Sequence, residues 1–257
     1  MEFSPPLVAI VLTLQFQKVP HFECFLFLVK FFLPSGIQAV KIPSRDFQFS
    51  NLLQKSKVTV GVLAIQGSVA EHAMHLRKCG ALVVPVRTAS DLAQVGGLVL
   101  PGGESTAIGR IWQRSGLDRA IAQRVARGMP AWGTCAGAIL LSRVGSEFSL
   151  KVLDVKIARN AFGSQAFSFE EKIPIPALQI ENFPATFIRA PRILQVGPNV
   201  KVLARLGGAG CSKANGEPVF VREGNALATT FHPELVKSLA VHKFFVRMCA
   251  DFSPAKQ

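Results

Sequence analysis

A single cysteine lies between two glycines in the segment GTCAG, residues 133–137, where an apolar strand-like run gives way to an apolar helix-like run. The pattern Gly-x-nucleophile-x-Gly permits a sharp strand-to-helix turn that exposes the central side chain. Cys135 would then lie at a helix N-terminus, where backbone N–H groups and the helix dipole favour a thiolate. A free cysteine is otherwise usually a buried structural residue, but the flanking glycines favour a nucleophile.

A thiolate nucleophile needs a base, and the base needs a group that orients it. Both residue types occur in TTFHPEL, residues 229–235, where His232 ends an apolar strand-like run and Glu234 lies two positions later. The intervening proline stiffens the exit from the strand, and the carboxylate can turn back toward the imidazole. The sequence therefore predicts a nucleophile, base and orienter in the chain order Cys135, His232, Glu234.

Three other histidines compete with His232 for the role of base. His242 lies in SLAVHKFFVRM, whose helical periodicity is typical of an ordinary helix residue. His72 and His75 lie on a helix predicted over 68–79, from which one of them can approach the same crevice. Neither has a carboxylate so placed as to orient it, and the interpretation keeps His232 as the base.

The segments around these residues alternate between strands and helices from residue 57 onward. Apolar β-branched runs predict strands at VTVGVLAI, ALVVPV, GGLVLP and MPAWGT, and helical spacing predicts helices over SVAEHAMHLRKCG, STAIGRIWQRSG, LDRAIAQRVARG and AGAILLSRV. This order is typical of a three-layer α/β fold with a mainly parallel central sheet and helices on both faces. Active sites lie at the carboxyl ends of such strands, so the glycine-rich breaks at 66–67, 102–103 and 133–137 should converge. Residues 150–230 predict further strands, partly antiparallel.

The first 56 residues differ in composition from the rest of the chain. The apolar runs at 7–16 and 24–33 are each shorter than the roughly 20 residues that a membrane-spanning helix needs. Glu2 stands where a signal peptide carries positive charge. We interpret residues 1–56 as an N-terminal hydrophobic extension, either a targeting element or sequence from a wrongly assigned first exon, and we favour the second.

Composition excludes several classes of function. Of the 257 residues, 49% are hydrophobic and 18% are charged, which argues against a disordered chain or a coiled coil. The formal net charge is +13, but the basic residues are scattered, which favours an unspecialised basic surface over a nucleic-acid site. The five cysteines show no metal-ligand spacing. We therefore predict a reduced, cytoplasmic setting with no metal, nucleic-acid or membrane partner.

Several motifs beyond the predicted triad resemble those of one known family. GVLAIQGSVAEH, LPGGEST, RNAFGSQ, SFE, FIRAP and FHPEL are similar, in order and spacing, to the glutaminase subunits of pyridoxal 5′-phosphate synthase, a branch of the class I glutamine amidotransferases. The resemblance covers residues 58–250 and implies a flavodoxin-like fold. It identifies residues 57–252 as one glutaminase domain and residues 253–257 as a tail.

The resemblance implies hydrolysis of L-glutamine to L-glutamate and ammonia through a thioester. Cys135 is then the nucleophile, His232 the base and Glu234 its orienter. The N–H groups of Gly103 and Ala136 are the implied oxyanion hole. The residues implied in glutamine binding are Gly103, Glu104, Ser105, Arg159, Ile188 and Arg189.

The chemistry of free glutamine agrees with these implied roles. Its α-carboxylate needs a cation, which either Arg159 or Arg189 can supply in a bidentate manner. Glycines at 102–103 allow peptide orientations closed to other residues, so the Gly103 donor can be switched. Taken alone, PGGES also indicates a plain turn in which Ser105 caps a helix.

The resemblance also implies a partner. Ammonia would pass to a synthase subunit, a (β/α)8 barrel, in a large hetero-oligomer that completes the oxyanion hole, so activity in isolation should be low. This half-reaction should need no cofactor, since pyridoxal 5′-phosphate is the product of the complex. The alternatives are a glutaminase serving another biosynthetic synthase, a non-catalytic regulatory protein with the same fold, and a membrane-attached protein suggested by the apolar runs.

Overall fold

In a computed structural model, the chain divides into two compact units, Met1–Ser56 and Lys57–Gln257. In the first unit, strands β1 (Ile10–Val11), β2 (Phe27–Leu33) and β3 (Gly36–Ile42) form an antiparallel sheet in that order. No helix among the residues described is long and apolar enough to cross a membrane. The predicted tail at 253–257 and most of RNAFGSQ fall outside the described residues, which are 10–11, 27–33, 36–42, 58–159, 168–207 and 216–252.

The second unit contains the strands and helices that the alternating sequence pattern predicts, together with a short helix, Ala89–Ala93, that it does not predict. Its strands are β4 (Thr59–Leu63), β5 (Leu82–Val86), β6 (Leu98–Leu100), β7 (Ala131–Thr134), β8 (Ser142–Val144), β9 (Leu153–Ala158), β10 (Phe169–Ile175), β11 (Ile180–Phe187), β12 (Arg192–Val196), β13 (Lys201–Arg205), β14 (Pro218–Glu223) and β15 (Ala226–Thr229). Its helices are α1 (Val69–Lys78), α2 (Ala89–Ala93), α3 (Ser105–Ser115), α4 (Leu117–Ala126), α5 (Ala136–Leu141) and α6 (Ala240–Ala250), with 3-10 turns at Pro176–Leu178 and Pro233–Leu235.

A seven-stranded sheet forms the centre of this unit, in the order β13-β14-β15-β7-β6-β4-β5. The strands from β15 to β5 are all parallel, whereas β13, β14 and β15 pair antiparallel. The prediction of an α/β fold with a mainly parallel sheet is therefore confirmed, as is the expectation of antiparallel strands late in the chain. A hairpin of β10 and β11 and a small sheet in the order β12-β9-β8 complete the unit.

The core lies on both faces of the central sheet. Successive side chains of a strand point to opposite faces, and in β6 Leu98 and Leu100 join one apolar cluster while Val99 joins the other. Helices α3, α4 and α5 pack on the first face, and α1 and α6 on the second. This burial on both sides explains the largely apolar runs of β6, β7 and β15, which are buried at every position, whereas β5 lies at the edge of the sheet and is partly exposed.

The helix predicted over AGAILLSRV is shorter than expected. It ends at Leu141, and Ser142 adopts an extended conformation with φ −62° and ψ 157°. The Ser142 hydroxyl donates to the carbonyl of Ile139 at 2.7 Å, which satisfies a carbonyl of the last turn. Ser142 begins β8, which pairs in parallel with β9, so tertiary pairing overrides the helical pattern here.

Candidate active site

Cys135 lies at the junction between β7 and α5, as the spacing of its flanking glycines predicts. Its backbone has φ 49° and ψ −106°, a strained conformation for a residue with a side chain. The Cys135 N–H donates to the carbonyl of Thr229 at 2.9 Å, which ties the turn to β15. The residue is 9% exposed, so its sulfur is close to the surface of the cavity described below.

The two glycines around Cys135 are required by close packing. A Cβ on Gly137 would clash with the carbonyl oxygen of Leu100 in β6, and a Cβ on Gly133 would clash with the backbone of Gly137. The start of α5 therefore rests directly on the ends of two parallel strands. Any larger residue at these positions has to displace the turn that carries the sulfur.

His232 and Glu234 follow β15, the strand beside β7. The His232 N–H donates to the carbonyl of Thr186 at 2.8 Å, and the 3-10 turn Pro233–Leu235 brings Glu234 back beneath the imidazole. Nδ1 of His232 is 2.8 Å from Oε1 of Glu234, and both side chains are buried. The other ring nitrogen, Nε2, is therefore the one available to Cys135, and the two side chains are neighbours, since a Cβ on Gly102 would lie within 3.4 Å of both.

The charges of these groups are mutually stabilising. Burial by itself lowers the pKa of His232, but hydrogen bonds and charge attraction from Cys135 and Glu234 outweigh it and raise the pKa to about 10. Burial raises the pKa of Glu234, but His72 and His232 outweigh it and lower the pKa. The arrangement can hold a thiolate and an imidazolium side by side, with a carboxylate behind them.

A cavity of about 400 Å³ opens in front of Cys135 and His232. Its volume is sufficient for a small polar metabolite. The predicted convergence of the glycine-rich breaks is confirmed, because residues of all three line this cavity. Glu234 lies behind His232, and all other predicted site residues line the cavity, namely Gly103, Glu104, Ser105, Cys135, Ala136, Arg159, Ile188, Arg189 and His232.

The cavity offers both signs of charge at its rim. Nη2 of Arg189 is 3.9 Å from Oε1 of Glu104, and both side chains are mostly exposed. Arg159 is a second exposed cation on the lining. Deeper in the cavity, the carbonyl oxygen of Ile188 lies 3.9 Å from Sγ of Cys135. These groups can bind an ammonium group, a carboxylate and an amide within reach of the sulfur.

The loop at 102–103 is held by contacts that the sequence did not reveal. The Gly102 N–H donates to Oγ1 of Thr134 at 3.0 Å, and the Glu104 N–H donates to Oε1 of Gln66 at 2.7 Å. A Cβ on Gly102 would approach Cε1 of His232 to 2.6 Å, so the loop lies directly against the imidazole. Gln66 belongs to the quoted motif GVLAIQGSVAEH, but its type alone gave it no role.

The alternative in which Ser105 caps a helix is wrong. Glu104 is the N-cap of α3, no side-chain hydrogen bond caps the helix, and Ser105 is its first, buried residue. The loop conformation is therefore fixed by its neighbours rather than by a local cap.

The expectation that no carboxylate accompanies His72 is also wrong. Nε2 of His72 is 3.3 Å from Oε2 of Glu234. His242 lies on helix α6, as its periodicity predicts; its side chain is buried and its Nε2 is 3.1 Å from Nδ1 of His72, a contact that the sequence did not reveal. The signal for His72 was present in the sequence, since it shares one helical face with Val69, Ala73 and Leu76.

Comparison with known proteins gives a consistent set of relatives. The profile of the SNO glutamine amidotransferase family matches residues 62–251. The pyridoxal 5′-phosphate synthase subunit PdxT of Dehalococcoides mccartyi is 44% identical over 200 residues, which cover 76% of this chain and 99% of that protein. The PdxT subunit of Acidothermus cellulolyticus is 46% identical over 204 residues, which cover 77% of this chain and 97% of that protein.

The same relationship holds for solved structures. A glutamine amidotransferase crystal structure is similar to this fold with a TM-score of 0.67 and 39% sequence identity, over 74% of this chain and 98% of that one. The region matched by the family profile, residues 62–251, includes Cys135, His232 and Glu234.

Proposed function

Because the chain belongs to the SNO glutamine amidotransferase family, we propose that Cys135, His232 and Glu234 hydrolyse L-glutamine to L-glutamate and ammonia. The chain is a glutaminase of pyridoxal 5′-phosphate synthesis, as its extensive similarity to PdxT subunits supports. One observation carries the mechanism: His232 lies between Cys135 and Glu234 at the wall of a charged cavity.

The first half of the reaction forms a thioester. The Cys135 thiolate attacks the side-chain amide carbon of glutamine, and a carbon–sulfur bond forms while the carbonyl oxygen becomes an oxyanion. The N–H groups of Ala136 and Gly103 donate to that oxyanion. Protonated His232 gives its proton to the amide nitrogen, the carbon–nitrogen bond breaks, and ammonia leaves.

The second half releases glutamate. Neutral His232 now accepts a proton from water, and the resulting hydroxide attacks the thioester carbon. The carbon–sulfur bond breaks, glutamic acid leaves and loses its proton to solvent, and the thiolate–imidazolium pair is restored. Glu234 stays ionised and keeps the imidazole in place throughout. These steps use side chains and water, so the proposal calls for no cofactor or metal in this half-reaction.

Glutamine binds with its amide at Cys135 and its amino-acid end at the rim. The carboxylate of Glu104 and the carbonyl of Ile188 accept from the α-ammonium and amide groups, with Ser105 beside them. Arg159 and Arg189 provide the positive charge for the α-carboxylate. This orientation places opposite charges of substrate and protein together.

The ammonia passes to the synthase subunit that the names of the relatives imply. We propose that this partner is a (β/α)8 barrel, that the two form a large hetero-oligomer in the cytoplasm, and that docking completes the oxyanion hole at Gly103. Pyridoxal 5′-phosphate is then the product of the complex and not a ligand of this chain.

The test is ammonia release from L-glutamine, measured with and without a pyridoxal 5′-phosphate synthase subunit. We expect weak release alone, strong stimulation by the subunit, and no release from Cys135→Ala. Full activity in Cys135→Ala would refute the mechanism. Activity without any stimulation would instead favour a glutaminase that serves another synthase, and a wild-type chain inactive in both settings would favour a regulatory protein.

A further inference from the structure

Behind His232 and Glu234 lies a group of histidines that the proposed mechanism does not use. His72 and His75 belong to α1 and His242 to α6, and all three are buried. They are not arranged as metal ligands, since no group of three or more suitable side chains could hold an ion within the part of the chain that the structure describes. Their arrangement therefore calls for another explanation.

His72 contacts both parts of the catalytic apparatus. Its Nε2 is 3.3 Å from Oε2 of Glu234 and 3.2 Å from Oγ1 of Thr134. Thr134 Oγ1 in turn accepts the N–H of Gly102, in the loop that carries the proposed oxyanion donor. The other ring nitrogen, Nδ1, lies 3.1 Å from Nε2 of His242. The imidazole of His72 thus lies between Glu234, which orients the base, and Thr134, which holds the glycine loop at 102–103.

Charge determines where the protons of this group lie. Burial lowers the pKa of His72 to about 4, although the charge of Glu234 opposes the shift, so the imidazole is neutral at neutral pH. An ionised carboxylate only accepts hydrogen bonds, so the ring nitrogen that faces Glu234 carries the proton. Nδ1 of His72 then accepts the Nε2–H of His242. Nδ1 of His242 is left as a bare acceptor, and it has no hydrogen-bond partner among the described residues.

His72 and Glu234 are in contact, but they do not form an ideal hydrogen bond. At 3.3 Å the contact is longer than a typical charge-assisted hydrogen bond, and Oε2 of Glu234 has no hydrogen-bond partner among the described residues. The N–H of His72 lies within hydrogen-bond distance of Oγ1 of Thr134, at 3.2 Å, and faces Oε2 of Glu234 as a nearby dipole. Because both side chains are buried, an N–H dipole that faces the anion is a substantial interaction.

We propose that His72 is a positioning residue that couples the His232–Glu234 pair to the glycine loop at 102–103, and that His242 fixes its tautomer. The inference rests on the proposed glutaminase function. His72 touches no reacting atom. Its Nε2–H faces Oε2 of Glu234 at 3.3 Å while His232 donates to Oε1, so the N–H dipole favours the ionised carboxylate that keeps the imidazole of the base in its direction.

Removal of this N–H has a defined effect on pH dependence. The titratable groups that act on His72 are Glu234, His232, His75 and Glu71, with His242 at its second nitrogen. Burial raises the pKa of Glu234, whereas an N–H that faces the ionised carboxylate lowers it, and His72 brings such an N–H to 3.3 Å from Oε2. Without the N–H the carboxyl becomes protonated at a higher pH, and the base loses its orienter there.

The experiment compares two substitutions at position 72 in the full chain bound to its synthase subunit. His72→Leu removes the donor at similar volume, whereas His72→Gln places an amide N–H near the position of Nε2. We expect His72→Leu to lower kcat about 10- to 100-fold, to leave KM within about twofold, and to move the acid limb of activity to higher pH. His72→Gln should restore most of kcat and the acid limb.

Two further variants make the result decisive. Leu76→Ala, on the same helix and in the apolar core, should lower thermal stability but leave kcat and the acid limb unchanged. If His72→Leu does not fold, His242→Leu is the substitute, because it removes the proton donor to Nδ1 of His72. It should lower kcat and raise the acid limb of activity in the same way, but by a smaller factor. The inference would be overturned if the leucine variant that folds kept the wild-type kcat and acid limb. It would also be overturned if His72→Leu and His72→Gln lost kcat equally.

A second readout separates this inference from the proposed function. The pH dependence of Cys135 alkylation by iodoacetamide needs no glutamine, and its acid limb should shift upward in His72→Leu but not in Leu76→Ala. A wild-type chain without glutaminase activity would refute the proposed function. The shift in the acid limb of Cys135 alkylation could still be measured in that case and would still test the positioning role of His72. An active wild type with no shift in either readout would refute the positioning role alone.

Discussion

Nδ1 of His232 lies 2.8 Å from Oε1 of Glu234, and both side chains are shielded from solvent. The two residues are separated by a single proline, so the pairing depends on the 3-10 turn that follows β15. A short hydrogen bond between a buried carboxylate and an imidazole fixes the direction of the ring. The site thus has a rigid base before any substrate enters.

Replacement of Glu234 by glutamine tests this pairing. Glu234→Gln keeps the shape but removes the charge that helps to raise the pKa of His232 to about 10. We expect kcat for glutamine hydrolysis to fall about a hundredfold. Because the imidazolium loses its carboxylate, the alkaline limb of kcat/KM should move to lower pH. Glu223→Gln, which alters a carboxylate that accepts the Asp154 N–H, is the matched control, and equal profiles for the two variants would disprove the orienting role.

The pH dependence of stability should have a maximum near pH 6.5. His72 has a folded-state pKa of about 4 against an ordinary value of 6.5, so its contribution is present above 6.5 and is lost as pH falls toward 4. His232 has a folded-state pKa of about 10, so its contribution is present below 6.5 and is lost as pH rises toward 10. The first effect alone should cost about 1 to 2 kcal/mol between about pH 6.5 and about pH 5.

Urea denaturation across this range measures the stability curve. His72→Gln cannot titrate and should flatten the acid side, whereas Cys135→Ala removes one partner of His232 and should flatten the alkaline side. A curve that keeps rising from pH 6.5 to 9 in the wild type would contradict the raised pKa of His232.

The close packing beneath Cys135 predicts a specific intolerance. In Gly137→Ala the added methyl group would meet the carbonyl of Leu100, so the free energy of unfolding should fall by about 1 to 3 kcal/mol and the turn should shift. Gly96→Ala is the matched control, because its Cβ would find only ordinary contacts at 3.6 Å or more. Thermal unfolding of both variants checks this prediction. Wild-type stability in Gly137→Ala would contradict it.

The rim arginines should act on binding rather than on chemistry. Arg159→Ala and Arg189→Ala each remove a cation from the cavity lining, and at least one should raise KM for glutamine about tenfold with little change in kcat. Arg143→Ala is the control, since that exposed arginine pairs with Asp154 and does not line the cavity. Steady-state kinetics of the complex distinguish the two arginines, and unchanged KM in both would remove them from the glutamine site.

The local patterns of the sequence were sufficient for the α/β architecture. Apolar β-branched runs and glycine breaks placed β4 to β7, because a parallel sheet buried on both faces demands such runs. Helical spacing placed α1, α3 and α4 but not the short helix α2. The end of α5 was mispredicted, since β8 is defined by its pairing with β9. No local pattern contains that information.

Within the site, too, some features could be predicted from the sequence and others depend on the fold. The types and spacing of Cys135, His232 and Glu234 were visible along the chain, because a nucleophile at a glycine-flanked turn and a base at a strand end are local features. The contact of His72 with Glu234 joins residues from α1 and from the turn after β15, and His242 adds α6. Only the folded sheet, which stacks α1 and α6 on one face, decides that these side chains meet where they are buried from solvent.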